Sequence, residues 1–206
     1  MTLFPHNDER DQPRLLNDAQ IAEFAFDGMI EPYHKELVRE NDGRKVISYG
    51  QSSYGYDISV ADTELFFFIK NDMAAIDPKG FNSDKHLRPA KVRKSDKGEF
   101  VIIPPNTVLL ARSVEYIRMP EHVTGVCLGK STYARCGYNI LATPLEAGWH
   151  GNITLEIANC TPTPGMLYVN EGIMQVMFFM ADPCETSYGD RGGKYQGQTG
   201  LTLAKV

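Results

Sequence analysis

The sequence predicts one all-β domain with minor helices, folded as a β-sandwich or a barrel. From residue 45 onward, short runs rich in β-branched and aromatic residues recur and are separated by turn residues. No internal repeat, low-complexity segment or linker divides the chain. Its 206 residues suit one such domain, 1–206, with its own core.

The N-terminal region is predicted to hold an arm and then a short helix. Residues 1–16 are polar and contain two prolines, which indicates little regular structure of their own. Asn17 or Asp18 can cap a helix whose apolar residues recur at helical spacing and which ends near Gly28. We expect this helix to pack on a sheet.

The strands follow as runs of alternating or continuous apolar residues. These runs are KVISYG, YGYDISV, ELFFFI, EFVIIPP, TVLLARSVEYI, VTGVCLG, NITLEIAN, GMLYVN and IMQVMFFM. Between residues 70 and 98 the chain is polar, which indicates a loop together with a hairpin or short strand.

Composition excludes several classes of partner. The net charge of -5 and the pI near 5.5 argue against a general electrostatic grip on nucleic acid or on an anionic membrane. No run of 18 uncharged apolar residues and no N-terminal apolar signal region is present. The four cysteines lack CxxC spacing and indicate free thiols. We expect a cytoplasmic protein.

The stretch TPLEAGWHGNITLEIAN, residues 143–159, carries two glutamates around a Gly-Trp-His-Gly turn. In its second half apolar and polar residues alternate, so Glu156 projects from the face opposite to Leu155 and Ile157. On these residues alone, Glu156 is either a solvated glutamate on a half-buried sheet or a functional carboxylate.

Two glycine-rich segments have phosphate-binding character. The stretch GKSTYARCG, residues 129–137, offers backbone N–H groups, hydroxyls and two cations; it is either a phosphate loop or a plain turn. The stretch SYGDRGGKYQGQTG interleaves aromatics and a lysine with glycines. It indicates either a disordered tail or a flap, residues 186–206, that closes over an anionic ligand.

Zinc-dependent base deamination is not predicted. That chemistry needs an HxE pair followed by PCxxC, whereas Pro183-Cys184 has no second cysteine at that spacing. The five histidines are far apart in the sequence, and each is predicted to be a surface or turn residue. No metal ligand is predicted.

Five ordered motifs carry a family resemblance: SSYGYDI, GKSTYARCG, TPLEAGWHGNITLEIAN, EGIMQVMFF and KYQGQTG. Over roughly residues 40–206 this order resembles the dCTP deaminase family, within the larger group that includes the trimeric dUTPases. The resemblance implies a distorted β-barrel or jelly roll of the dUTPase-like type. It also implies a homotrimer with active sites built from neighbouring subunits.

The implied reaction is hydrolysis of dCTP to dUTP and ammonia, which feeds thymidylate synthesis. It proceeds without zinc, and Mg²⁺ accompanies the triphosphate. The resemblance makes Glu156 the proton shuttle, so we expect it to be buried with a shifted pKa. Arg135 and Ser131 would lie beside it, positioning water and stabilising charge. dTTP and dUTP are implied as inhibitor and product.

The resemblance also assigns the nucleotide contacts. Glu146 would line the deoxyribose site with Trp149, although Trp149 is equally explained as a packed core aromatic. Gln175 matches a nucleotide contact or is a hydrogen-bonded residue of an edge strand. Thr154 and Leu155 would act through backbone and shape. The remaining residues, which belong to the phosphate loop and the flap, are Lys130, Thr132, Tyr133, Ala134, Tyr188, Lys194, Tyr195 and Gln198.

Some positions depart from the family pattern. Leu141 and Ala142 differ next to the expected base site, and Thr199 replaces an arginine common in the flap. Two alternatives to a single-function deaminase therefore stay open. One is a bifunctional deaminase and diphosphatase that yields dUMP, and the other is a non-catalytic nucleotide-binding trimer.

Overall fold

The computed structural model describes residues 13–70 and 72–206. The prediction of an all-β fold with minor helices is confirmed. The strands are β1 (Arg14–Leu15), β2 (Ile30–Glu31), β3 (Val38–Asn41), β4 (Arg44–Ser52), β5 (Gly55–Ser59), β6 (Phe66–Phe68), β7 (Leu87–Pro89), β8 (Arg93–Ser95), β9 (Gly98–Ile103), β10 (Thr107–Arg118), β11 (Val123–Gly129), β12 (Tyr138–Leu141), β13 (His150–Asn159), β14 (Gly165–Tyr168) and β15 (Gly172–Met180). The helices are α1 (Asp18–Phe26), α2 (Ser83–His86) and α3 (Ser131–Arg135).

The described strands form two larger sheets and one small sheet. The first has the order β1-β15-β5-β4-β3, with β11 also paired to β15. The second has the order β12-β13-β10-β6-β7, with β2 paired to β10, and the third is β14-β9-β8. The buried core takes side chains from both larger sheets. The two sheets therefore enclose one core, which makes a distorted barrel.

Alternation along β13 positions the later site. Ile153, Leu155 and Ile157 are buried in the core, whereas Thr154 and Glu156 between them are half-buried. Burying a side chain of leucine or isoleucine size contributes about 1.5–3 kcal/mol. A slip of one residue would exchange the two faces, so the apolar face fixes the direction in which Glu156 points.

Helix α1 agrees with its prediction. The Asn17 side chain accepts a hydrogen bond from the Gln20 backbone N–H at 3.0 Å, and the Gln20 side chain accepts one from the Asn17 N–H at 3.1 Å. This reciprocal capping satisfies two N–H groups that the helix leaves unpaired. Ile21 and Ala25 face the core.

The predicted N-terminal arm falls partly outside the described residues, which begin at residue 13. Its last residues are not irregular, so the prediction is wrong there. Arg14 and Leu15 pair with Met180 and Phe179 of β15, and Leu16 is fully buried. Pairing with a neighbouring strand overrides the polar composition of the segment.

Several short strands were not predicted. The β3-β4 hairpin turns at Asp42 and Gly43, which both have positive φ, at 50° and 72°. This is the two-residue turn that an Asp-Gly pair favours. Between residues 70 and 98, the predicted loop with a hairpin or short strand agrees with the short strands β7 and β8 and with the hairpin that β8 forms with β9, whereas helix α2 was not predicted.

The cysteine prediction holds, since Cys127, Cys136, Cys160 and Cys184 are all free thiols. Among the described helices, none has the length and apolar character that crossing a bilayer requires.

Candidate active site

A pocket of about 880 Å³ lies along the polar face of β13. Its volume falls in the range usual for small-molecule sites. Eight of the residues predicted for the site line it: Glu146, Trp149, Thr154, Glu156, Tyr188, Lys194, Tyr195 and Gln198. The fold therefore joins the TPLEAGWHGNITLEIAN stretch and the C-terminal segment around one cavity.

Glu156 projects into this pocket from β13. Its cross-strand neighbours are Leu110 on β10 and Leu141 on β12. Burial among such apolar groups disfavours the charged form and raises the pKa of Glu156 to about 7. The expected shift of the pKa is thus present. The side chain is half-buried and not fully buried as expected, and it lines the pocket.

Glu146 and Trp149 hold the turn that precedes β13. The Glu146 carboxylate pairs with the Arg191 guanidinium at 2.8 Å, and both side chains are about half exposed. Trp149 is buried, and its indole Nε1 donates to the Tyr195 carbonyl at 3.0 Å. Trp149 is therefore both a core aromatic and part of the pocket wall.

Thr154 and Leu155 are separated by the alternation of the strand. The Thr154 hydroxyl lies in the pocket and donates to the Thr202 carbonyl at 3.4 Å. The Leu155 side chain is fully buried in the core, and only its backbone belongs to the strand beside the pocket.

The C-terminal flap, residues 186–206, packs over the pocket of its own chain. Gln198 exchanges two hydrogen bonds with Asn152: its side-chain Nε2 donates to the Asn152 carbonyl at 2.6 Å, and its carbonyl accepts from the Asn152 N–H at 3.0 Å. The Tyr188 hydroxyl accepts from the Tyr195 N–H at 3.1 Å. The Lys194 ammonium lies 5.3 Å from the centre of the Tyr195 ring.

Helix α3 carries the predicted phosphate loop but does not line this pocket. The Arg135 guanidinium donates to the Ser131 hydroxyl at 2.9 Å, and both side chains are exposed. Thr132 and Ala134 also face solvent. Tyr133 points the other way: it is buried, and its hydroxyl accepts from the Tyr168 N–H at 3.1 Å.

Lys130, at the start of α3, is held inside the chain. Its ammonium forms a short ion pair with the Asp57 carboxylate and donates to the Ser48 hydroxyl at 3.2 Å. Gln175 belongs to the same cluster, since its side-chain Nε2 donates to Asp57 at 3.1 Å and to Ser52 at 2.9 Å. The alternative of a hydrogen-bonded residue matches these contacts, but the expected edge strand is wrong, because β15 pairs with β5 on one side and with β1 and β11 on the other.

A model of the dCTP deaminase-like family matches residues 15–181. The chain belongs to the dCTP deaminase family. Curated dCTP deaminases from Cupriavidus metallidurans and Azoarcus sp. are 52% and 51% identical to it over 180 residues. Each alignment covers 87% of this chain and 92% of the relative.

The fold agrees with this membership. A crystal structure of 2'-deoxycytidine 5'-triphosphate deaminase from Agrobacterium tumefaciens superposes with a TM-score of 0.54 at 13% identity, over 82% of this chain. This chain spans about half of that longer chain, 49%. At such low identity the likeness concerns the fold alone.

Two groups of residues in this member of the dCTP deaminase family were missed by sequence reasoning. Asp57 is buried in the middle of β5, where a carboxylate among apolar residues is itself a signal. The second group lines the apolar side of the pocket, and no sequence motif marks its members. They are Phe68, Ile76, Pro78, Phe81, Val108 and Leu110. Only the folded chain brings this second group to the pocket.

Metal-binding geometry is not seen in residues 13–70 and 72–206, where no three His, Cys, Asp or Glu side chains converge. The prediction of zinc-free chemistry stays a prediction.

Proposed function

We propose that this protein hydrolyses dCTP to dUTP and ammonia, with Glu156 moving the protons. The observation that carries the proposal is the position of Glu156. It lies in a nucleotide-sized pocket with a pKa raised to about 7, in a chain of the dCTP deaminase family. A carboxyl group with this pKa exists in both protonation states near neutral pH, so it can serve as base and then as acid.

In the proposed reaction, the Glu156 carboxyl group accepts and returns each proton that is transferred. Ionised Glu156 takes a proton from water, and the water oxygen bonds to C4 of cytosine while the C4–N3 π electrons move to N3, which receives the proton. The hydroxyl formed at C4 then loses its proton through Glu156 to the amino group. The C4–N bond breaks, ammonia leaves, and C4 becomes a carbonyl carbon.

A second copy of the chain would complete the site. Ser131 and Arg135 are exposed on α3, outside the pocket of their own chain, whereas the family resemblance implies that they lie beside Glu156. Apolar side chains that a neighbouring copy would cover are exposed in the same region of the fold, namely Val126, Leu128, Leu141 and Phe179. We therefore propose a homotrimer whose active sites combine residues of adjacent copies.

The triphosphate would lie toward the flap. Lys194, Tyr188 and Gln198 supply a cation, a hydroxyl and an amide in the pocket of one chain. Thr132 of the neighbouring copy would approach the same phosphates, whereas Lys130 is held within its own chain by Asp57. The substrate is the Mg²⁺ complex of dCTP, because triphosphate oxygens and water satisfy this ion without a protein cage. We place this activity in the cytoplasm, in keeping with four free thiols.

The test compares purified wild-type protein with Glu156→Gln and with Glu99→Gln, a matched change outside the pocket. With dCTP and Mg²⁺, we expect wild type and Glu99→Gln to release ammonia and dUTP in equal amounts. We expect Glu156→Gln to lose at least about 10²-fold in kcat while it still binds dCTP. Turnover by Glu156→Gln at the wild-type rate would overturn the mechanism.

Chromatography of the products also separates the alternatives. Accumulation of dUTP without dUMP supports the single-function deaminase. Formation of dUMP would show a bifunctional enzyme, and tight binding of dCTP without ammonia release would show a nucleotide-binding trimer.

A further inference from the structure

Glu64 occupies an unusual backbone conformation on the turn between β5 and β6. Its φ is 57°, in the left-handed region that non-glycine residues rarely adopt. Such a conformation persists only where the surrounding contacts fix it. The contacts at Glu64 are therefore informative.

Arg112 of β10 fixes the Glu64 carboxylate. Its Nε donates to Glu64 Oε2 at 2.7 Å, and its two terminal nitrogens donate to the Thr63 hydroxyl at 3.1 Å and to the Ser113 carbonyl at 3.0 Å. All three nitrogens of the guanidinium therefore donate a hydrogen bond, and this arrangement orients the Glu64 carboxylate. The second carboxylate oxygen, Oε1, accepts from the Leu201 N–H of the flap at 3.3 Å.

The flap reaches Glu64 along a defined path. The Gly197 N–H donates to the His150 carbonyl at 2.9 Å, and the Gly200 N–H donates to the Asn152 side chain at 3.0 Å. Gly200 has a φ of 76°, and a Cβ there would lie 2.6 Å from Glu64 Oε1. Glycine adopts this positive φ without strain, and a larger residue here would have to displace the Glu64 carboxylate.

The residues immediately after this contact line the pocket. Thr202, Leu203 and Ala204 follow Leu201 directly and form part of the pocket wall. Glu64 does not line the pocket itself. It contacts the flap between Gln198 and Thr202, which both line the pocket.

We propose that Glu64, oriented by Arg112, is a positioning residue that latches the C-terminal flap over the pocket. Loss of the latch frees the flap residues that bind the phosphates in the proposed function, so the kinetic consequence rests on that function. The closure of the flap over the pocket does not depend on the proposed function.

Trp149 provides a readout of closure without substrate. It is the single tryptophan of the chain, it is 7% exposed, and its indole donates to Tyr195 of the flap. We expect Glu64→Ala to raise the acrylamide quenching constant of Trp149 about twofold and to shift its emission to the red, with an unchanged far-ultraviolet circular dichroism spectrum. Glu99→Ala breaks a surface ion pair with Lys94 and is the matched control, with wild-type quenching.

Steady-state kinetics with dCTP gives the second readout. We expect Glu64→Ala to raise KM about tenfold and to change kcat less than about twofold, because saturating substrate closes the flap again. Glu64→Gln keeps an oxygen that can accept from the Leu201 N–H. Its KM for dCTP should therefore lie between those of the wild type and Glu64→Ala. If Glu64→Ala fails to fold, Glu64→Gln and Arg112→Lys carry the same two measurements.

Wild-type quenching of Trp149 in folded Glu64→Ala would overturn the latch, whatever the enzyme does with dCTP. Increased quenching without any deamination by wild-type protein would support the latch and refute the proposed function. A fall in kcat at unchanged KM would overturn the kinetic consequence of the latch, namely that it positions flap residues for phosphate binding.

Discussion

Three glutamates of this chain differ in their suitability for proton transfer to a ligand, because their surroundings differ. Glu156 lies among apolar groups in a pocket, and burial raises its pKa to about 7. Glu115 is fully buried, and its pKa is also raised to about 7 by burial, but it accepts hydrogen bonds from Ser59 and does not line the pocket. Glu146 is half exposed beside Arg191. Of the three, Glu156 combines a shifted pKa with access to a ligand, which suits proton transfer.

The pH dependence of catalysis should report Glu156. In the proposed mechanism its ionised form takes the proton from water, so kcat should rise with pH up to about 7 and fall about tenfold per unit below it. The measurement is the pH profile of kcat with dCTP. Glu115→Gln is the control for the second group with a similar pKa and should keep the rise. A midpoint near the ordinary glutamate value would contradict a desolvated Glu156.

At the scale of elements, one buried ion pair links the start of α3 to strand β5. Lys130 precedes α3, and its ammonium is held by Asp57 of β5. Both side chains are largely buried, at 12% and 7% exposure. The pair therefore helps to fix the position of α3, which carries Ser131 and Arg135.

Breaking this pair from one side should be costly. Asp57→Ala leaves the Lys130 ammonium buried without its counter-charge, which we expect to lower the free energy of unfolding by about 3 kcal/mol. Adding Lys130→Met should recover at least half of that loss, since the uncompensated charge is removed. Urea unfolding of the two variants measures this. Equal stability of the single and double variants would contradict a buried pair.

At the scale of the whole molecule, the predicted site residues of one chain lie in two places. Glu156 and the flap face the pocket, whereas Ser131 and Arg135 lie elsewhere on the surface. In the proposed ring of three copies, each site would combine both sets, because every copy would give α3 to one neighbour and receive it from the other.

Subunit mixing tests this arrangement. Glu156→Gln and Arg135→Ala should each be inactive alone. Equal mixing by refolding together should restore about a quarter of wild-type activity, since one site in four pairs an intact Glu156 with a neighbour's intact Arg135. Ammonia release measures the recovery. If each site belonged to one chain, mixing would restore nothing.

The sequence by itself determined the strands with strong periodicity, helix α1 and the family. Alternation along residues 152–159 gave the face of Glu156, because side chains on a strand alternate with a period of two. The capping residues of α1 act within a few positions, so they are visible locally. The motifs of the family are also short and contiguous.

Only the tertiary structure decided which distant residues meet. It placed Asp57 against Lys130 and Glu64 against Leu201. It also brought apolar residues such as Phe68 and Leu110 to the pocket that Glu156 lines. It also kept α3 away from the pocket, although α3 lies close to β13 in the sequence. Periodicity reports the local preference of a segment, whereas such contacts depend on strand order, register and packing between sheets, which no single segment encodes.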